Sequence, residues 1–292
     1  MPGFLQPTTL EEAFALLDGK GETRFLAGGT DLLVLLRLGA ISCDNVMDVK
    51  RIPELSTLRL TDETLEIGAA WTCNQILAAP EVGSEYAPLR QASAALANSL
   101  LRNRATLVGN ICNASPGGDM LPACLVLEGS VVAASSRGER TIALKDFFTG
   151  VKKNVLKPDE IVLRTVFPRT QGRGTYLKKK RIHGHDLAQV SVAGFYADDG
   201  HLRLALGAVA ITPLLLDFGV IPAAELPARR TEIIEAVAAA AKPITDVRAS
   251  REYRLAMGRL FTERIIDGLI DGSLGLAEDR PCTTPAREAV TA

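Results

Sequence analysis

Apolar and polar residues along the first fifty positions follow two different rhythms. Leu10, Phe14 and Leu17 recur at helical spacing behind Thr9-Leu10-Glu11-Glu12, a capping-box pattern, and predict a short helix through Leu17. Residues 23–27 read as a strand, residues 32–38 as a second helix and residues 45–49 as another strand. Together they make a small βαβ unit that ends near residue 52.

The next stretch is more mixed. Residues 57–69 suggest a hairpin turning at Asp62-Glu63, and Thr72 is placed to cap a short helix over residues 74–79. Residues 86–98 are alanine-rich and read as helix. Residues 102–119 are dense in Asn, Gly and Ser, which predicts an ordered functional loop rather than a regular element. A helix over 120–127 and strands over 131–135 and 161–167 complete this part, and residues 168–174 read as a linker. Beyond it, strands are predicted over 176–180, 190–197 and 202–209, then helices over 231–241 and 250–270.

Strands followed by helices give an α+β fold. A two-subdomain module covers residues 1–168, with the βαβ unit at about 1–52 and a mixed α/β subdomain at about 53–168. A C-terminal domain of antiparallel sheet and helices covers 174–277. Residues 278–292, rich in Pro, Thr and charge, are expected to be a disordered tail.

Composition narrows the function classes. The 292 residues are 47% hydrophobic and 23% charged, with a net charge of −1, an ordinary globular balance. Such a balance offers no broad electrostatic footprint for nucleic acid or anionic membrane. The N-terminus has no secretory pattern. The apolar region 202–224 carries Arg203, Pro213, Asp217 and Pro222, which argues against a membrane span. A soluble, cytoplasmic protein is expected. Cysteines at 43, 73, 112, 124 and 282 are odd in number and widely spaced, so they read as small hydrophobes rather than disulfides or metal ligands. His183-Gly184-His185 could suggest a metal, but no third ligand lies near in sequence, and a solvated loop is the simpler reading.

Two motifs carry candidate chemistry. Ala27-Gly28-Gly29-Thr30-Asp31-Leu32-Leu33 sits after a strand and before a helix, where backbone N–H groups can face a phosphate and Thr30 adds a hydroxyl. A purely structural Gly-Gly turn fits it equally well. The dinucleotide Gly-x-Gly-x-x-Gly pattern is absent, and a Rossmann reading fails. The second motif runs Arg102-Asn103-Arg104-Ala105-Thr106-Leu107-Val108-Gly109-Asn110 and on through Ser115-Pro116 to Asp119 and Pro122. Its hydroxyls, amides and N–H groups suit a diphosphate and a polyol. Asp119 could serve as a helix N-cap or as a hydroxyl acceptor.

Together these motifs resemble the FAD-binding (medium) subunit of the xanthine dehydrogenase and carbon monoxide dehydrogenase family of molybdenum hydroxylases. The first matches the family's Ala-Gly-Gly-Thr-Asp loop, and the second its Thr-Ile-Gly-Gly-Asn loop, continuing into Ser-Pro and Asp-x-x-Pro. Phe147-Phe148-Thr149-Gly150, Pro158-Asp159-Glu160-Ile161, Lys178 through Asp186-Leu187-Ala188, and Asp246 through Arg254 follow in the family's order.

The resemblance implies one non-covalent FAD per chain. Leu26, Ala27, Gly28, Gly29, Thr30 and Asp31 would hold its pyrophosphate from one side and Thr106, Gly109 and Asn110 from the other. A side chain at Gly29 would then intrude on the pyrophosphate. Ser115 and Asp119 would meet ribityl or ribose hydroxyls, Ile161 and Val162 would lie near the adenine or flavin, and Leu96 and Ala97 would lie near the flavin ring. Lys178 would approach the isoalloxazine as a cation favouring the reduced form. Val108 replaces a glycine of the family's second loop, which leaves one backbone approach in question. No cysteine-rich insertion of the benzoyl-CoA reductase type lies between Asp119 and Lys145.

By the same resemblance, the molybdenum cofactor belongs to a large partner subunit and two [2Fe-2S] clusters to a small one, in a heterohexamer with two copies of each chain. Electrons would pass through FAD to NAD or another acceptor. The alternative is a stand-alone FAD-dependent oxidase or reductase. Residues 174–277 offer no grouping of catalytic side chains for one.

Overall fold

A computed structural model describes residues 2–17, 21–182, 184 and 186–274. The expected tail at 278–292 and the two histidines of the His-Gly-His motif lie outside the described residues.

The chain opens with β1 (Gly3–Leu5), α1 (Leu10–Leu17), β2 (Thr23–Leu26), α2 (Leu32–Arg37) and β3 (Asn45–Asp48). These strands form a parallel sheet in the order β1-β3-β2. The expected βαβ unit is present, with β1 as an added edge. Thr9 accepts from the Glu12 N–H at 3.1 Å, while the Glu12 carboxylate takes the N–H of Thr8 rather than Thr9. The capping pattern is therefore spread over one more residue than its motif predicts.

The second unit contains β4 (Leu58–Leu60), β5 (Thr64–Gly68), α3 (Cys73–Ala78), α4 (Ala87–Ala95), α5 (Ser99–Arg102), α6 (Leu107–Asn113) and α7 (Met120–Val126). It continues with β6 (Ser130–Ser135), β7 (Gly138–Ala143), the two-stranded β8 (Phe148–Gly150) and β9 (Lys153–Asn154), and β10 (Ile161–Pro168). Its main sheet is antiparallel in the order β4-β5-β10-β6-β7. Thr72 caps α3 through a reciprocal pair with Gln75. Every residue of α7 is buried, so this helix is the centre of the module.

The expectation of an irregular loop over 102–119 is corrected. α6 occupies its middle because Leu107, Val108 and Ile111 bury one face and Thr106 caps the start. Tertiary burial thus overrides the weak helix preference of a Gly/Asn-rich segment.

The linker expected over 168–174 is also shorter. β10 runs through Pro168, and only three residues separate it from β11 (Gly172–Lys179). β11, β12 (Val190–Ala197), β13 (His201–Gly207) and β14 (Leu214–Val220) form an antiparallel sheet in chain order. α8 (Leu226–Ala240) and α9 (Arg251–Ile270) cover one face, and α4 and α7 of the preceding unit press on the other. β12 is buried at every position, which explains why residues 190–197 read as a nearly unbroken apolar run. A Cβ at Gly194 would press into Ile265 of α9, and one at Gly174 into Pro88 of α4, so glycines permit close packing on both faces. One apolar core therefore runs from Ala13 and Met47 to Phe195 and Ala205, and a second fills the space under α8 and α9.

Candidate functional site

The first glycine loop follows β2, whose last residue, Leu26, is buried and accepts from the Val49 N–H at 3.2 Å. Ala27, Gly28, Gly29 and Thr30 are half-buried, and Asp31 is exposed at the start of α2. Gly29 has φ +75°, a backbone conformation that L side chains rarely adopt. A Cβ there would meet Leu26 and Leu33 side chains at 2.8 and 3.0 Å. A substituent at Gly29 thus strains the turn and its packing against Leu26 and Leu33.

Gly28 has another role. A Cβ on it would collide with the Arg104 carbonyl and sit 3.1 Å from the Ala105 Cα, so the two candidate loops touch backbone to backbone. The second loop is in turn fixed from behind. Ala105 O accepts from the Cys73 N–H at 2.8 Å, and Thr106 bridges to Thr72. Thr106 Oγ1 accepts from the Gly109 N–H at 2.9 Å. A Cβ at Gly109 would stand 2.7 Å from that oxygen, so glycine here makes room for the cap. Val108 points into the core with 5% exposure, away from the half-buried Gly109 and Asn110. Its side chain therefore obstructs nothing between the loops.

Asn110 reaches forward, its Oδ1 accepting from the Met120 N–H at 3.2 Å and so serving the N-terminal end of α7. Asp119 makes no side-chain cap there. The segment between them is tied down at several points. Ala114 O and Pro116 O accept from Lys152 and Ala208 N–H groups, and Ser115 O accepts from Gly118 N–H at 2.8 Å. Ser115 itself stays half-buried.

Asp119 and Lys178 come together in a buried cluster. Lys178 Nζ donates to Asp119 Oδ2 at 2.8 Å, to Ala95 O at 3.1 Å and to Asp186 O at 3.1 Å. Tyr176 donates its hydroxyl to the other Asp119 oxygen at 2.9 Å. Both carboxylate oxygens accept, which is the pattern of an ionised group. Burial pushes the Asp119 carboxyl above its ordinary value, while Lys178 and the Tyr176 hydrogen bond oppose that rise. Gln91 of α4 holds the strand carrying these residues, its Oε1 accepting from Tyr176 N at 2.6 Å and Thr175 Oγ1 at 2.9 Å.

The carbonyls at the end of α4 are taken by cations. Ala95 O accepts from Lys178, while Ala94 O and Leu96 O accept from Arg102 at 3.1 and 2.9 Å. Leu96 is buried and Ala97 has φ +46°, so a strained turn is presented just where Lys178 arrives. Ile161 and Val162 are buried at the start of β10 and pair with Ala134 and Ala133 of β6. The pairing of β10 with β5 begins only at Arg164, after an irregularity, so the other backbone edge of Ile161 and Val162 lies outside that ladder. A cavity lined by Lys178, Lys179, Lys180, Arg181 and Ile182 lies at the end of β11.

The structure thus gathers most of the sequence candidates into two groups and leaves Ser115, Ile161 and Val162 outside both. One is the pair of touching glycine loops, and the other joins Asp119 and Lys178 to Ala95 at the end of α4, next to Leu96 and Ala97 in the chain. Tyr176 and Gln91 were missed by sequence reasoning. Tyr176 had a usable signal: two positions before Lys178 on a strand, it shares the lysine's face. Among the described residues, no group of three metal-ligating side chains occurs, and no helix is long and apolar enough to cross a membrane. Cys73 and Cys124 are buried as expected of small hydrophobes, and burial pushes the Cys73 thiol up to about 12.

A half-buried cradle of two glycine loops, with buried polar groups further along, fits an extended cofactor such as FAD. Comparison with known proteins agrees. Residues 2–170 match the family described as FAD binding domain in molybdopterin dehydrogenase. The carbon monoxide dehydrogenase medium chain of Hydrogenophaga pseudoflava is 31% identical over 274 residues, 89% of this chain and 94% of that one. A putative xanthine dehydrogenase FAD-binding subunit of Escherichia coli is 29% identical over 278 residues, 91% and 95% of the two chains. A solved carbon monoxide dehydrogenase from H. pseudoflava superimposes with a TM-score of 0.82 at 28% identity, covering 91% of this chain and 96% of that one. The chain belongs to the FAD-binding family of the molybdopterin dehydrogenases. Within that family it is an FAD-binding medium subunit of an oxidoreductase, a flavoprotein.

Proposed function

We propose that this chain is the electron-transfer subunit of a cytoplasmic molybdenum hydroxylase complex, a heterohexamer with two copies of each of three chains. It receives electrons from an iron–sulfur subunit with two [2Fe-2S] clusters and delivers them to NAD or another acceptor. The molybdenum cofactor and substrate oxidation belong to a large partner subunit. The contact of the two glycine loops through Gly28 and Arg104 is the observation that carries this reading.

In this reading, backbone groups at 27–31, with Leu26 behind them, and the Thr106, Gly109 and Asn110 region hold the pyrophosphate. Ser115 and Asp119 face the hydroxyl chain. Ile161 and Val162 offer their unladdered backbone edge to the adenine or flavin, and Leu96, Ala97 and Lys178 lie beside the ring. A bound flavin exchanges electrons singly or in pairs, which suits a junction between one-electron clusters and a two-electron acceptor. The protein's own part is to bind, orient and bury it. The FAD-binding domain covers residues 1–168, with subdomains at about 1–52 and 53–168, and the C-terminal domain covers 174–277.

The test is the intact complex purified from its source. Three chains should co-elute, denaturation should release one FAD per copy of this chain, and the organic substrate should reduce the flavin only when both partners are present. Turnover of a hydroxylase substrate by this chain alone would overturn the proposal.

A further inference from the structure

Lys178 is the cation that the proposed site places beside the flavin, yet it is not a free charge. Its ammonium has two carbonyl acceptors, Ala95 O and Asp186 O, and one anionic acceptor, Asp119 Oδ2 at 2.8 Å. The side chains of Lys178 and Asp119 are 3% and 7% exposed, so solvent screens neither. A buried unit charge so close to its opposite cancels most of its field at a distance. Asp119 in turn needs more than Lys178. Its second oxygen would be an unsatisfied buried acceptor without the Tyr176 hydroxyl at 2.9 Å.

Tyr176 is well placed for that task. It lies on the Lys178 face of β11, its ring is buried, and Gln91 of α4 fixes its backbone. The cluster also ties the sheet of the C-terminal half to the ends of α4 and α7.

We propose that Tyr176 is a positioning residue of the cofactor site, fixing the Asp119 carboxylate so that Asp119 and Lys178 act as one charge-compensated pair beside the flavin. The proposal rests on the FAD-site reading above. It changes what substitutions should do. If Lys178 acted as a lone cation, only its removal would move the flavin potential. With a compensated pair, removing either member exposes the charge of the other.

The experiment is a spectroelectrochemical titration of the flavin in the intact complex, at one pH near 8, with FAD affinity measured in parallel. Asp119→Asn leaves an uncompensated cation, which favours the anionic reduced flavin and raises the midpoint potential. Lys178→Met leaves an uncompensated carboxylate and lowers it. The double variant should return close to the wild-type value, and Lys178→Arg should stay near it. Tyr176→Phe should move the potential in the direction of Asp119→Asn but less, and weaken FAD binding by roughly tenfold, a hydrogen bond to a charged group.

Shifts of the same sign in Asp119→Asn and Lys178→Met, or a double variant displaced as far as either single one, would overturn the compensated pair. A Tyr176→Phe protein with unchanged potential and FAD affinity would remove Tyr176 from the site. If Lys178→Met fails to retain cofactor, the near-isosteric Asp119→Asn and Tyr176→Phe decide the matter by the sign of their shifts. Absence of FAD from the wild-type complex would instead sink the underlying reading, and would be seen before any titration.

Discussion

Gly28 lies against the backbone of Arg104 with no room for a side chain between them. The contact joins the parallel β1-β3-β2 unit to the helical centre of the second unit at the point where both candidate loops begin. Neither loop could take this position with a bulkier residue at 28, because the obstacle is a carbonyl and cannot rotate away as a side chain could.

Gly28→Ala should therefore separate the loops, weaken FAD binding by tenfold or more and cost about 1–3 kcal/mol of stability. Gly29→Ala should also destabilise the turn, through its φ of +75° and the contacts with Leu26 and Leu33. Gly39 provides the control. Its φ is +65°, but a Cβ there meets nothing within 4 Å, so Gly39→Ala should cost about 1 kcal/mol and leave FAD affinity unchanged. Fluorescence titration of FAD into the deflavinated proteins checks this. Equal affinities for Gly28→Ala and Gly39→Ala would refute it.

The Thr106 cap tests the second loop without a steric change. Thr106→Ala removes the acceptor for Gly109 N–H and should cost about 1 kcal/mol. Thr106→Ser keeps the oxygen and should behave as wild type. If the Gly109 backbone helps to hold the pyrophosphate, FAD affinity should follow the same order, measured by equilibrium dialysis.

A pH-dependent contribution sits just before Ile161. Glu160 accepts from Arg140 Nε and Nη2 at 2.7 and 2.8 Å and from Lys157 N–H at 2.7 Å. The Arg140 hydrogen bonds hold the Glu160 carboxyl below its ordinary value, against the opposing effect of burial. A carboxyl depressed in the folded state stabilises the protein above its unfolded value of about 4.3, and that stability is lost as pH falls through the folded value. Glu160→Gln should thus lower stability by about 1–2 kcal/mol at pH 7, a figure reduced for the half-exposed Arg140. The gap between variant and wild type should close as pH drops below about 4.3. Urea midpoints at pH 7 and at successively lower pH would show it, and a constant gap would contradict it.

Local chemistry made part of this legible in the sequence. Gly28 to Asp31 could be placed because turn residues announce themselves, and Thr72 because caps are short-range signals. β1 escaped because three residues beside Pro2 carry almost no periodicity, and β14 because an edge strand containing Asp217 and Gly219 resembles a loop. The pairing of Asp119 with Lys178 could not be read from either residue. It exists only because α7 packs on the face of the C-terminal sheet that carries Tyr176 and Lys178, and no local pattern specifies that docking.

Arg254 offers a test of how far that docking depends on the C-terminal domain. It lies in the first turn of α9, buried, and Nη1 donates to Gln189 O at 2.6 Å and Ala208 O at 3.0 Å. Nη2 donates to Asp246 Oδ1 at 2.7 Å. One guanidinium thus closes the loop before α9, the start of β12 and the turn after β13, where Ala208 has φ +61°. Ala208 N–H in turn donates to Pro116 O at 2.7 Å, inside the segment that leads to Asp119. Arg254→Met removes the guanidinium donor from two carbonyls and one of several donors from the Asp246 carboxylate, which keeps those of Arg248 and Ala249, and should cost about 3 kcal/mol. Arg254→Lys keeps the charge but not the fork, so it should recover only part of that loss. Because Ala208 anchors Pro116, FAD affinity should fall alongside stability in both variants, with Met worse than Lys. Urea denaturation and FAD titration on the same preparations would decide it: full FAD affinity in a destabilised Arg254→Met protein would show that the C-terminal domain does not support the Ser115–Asp119 segment.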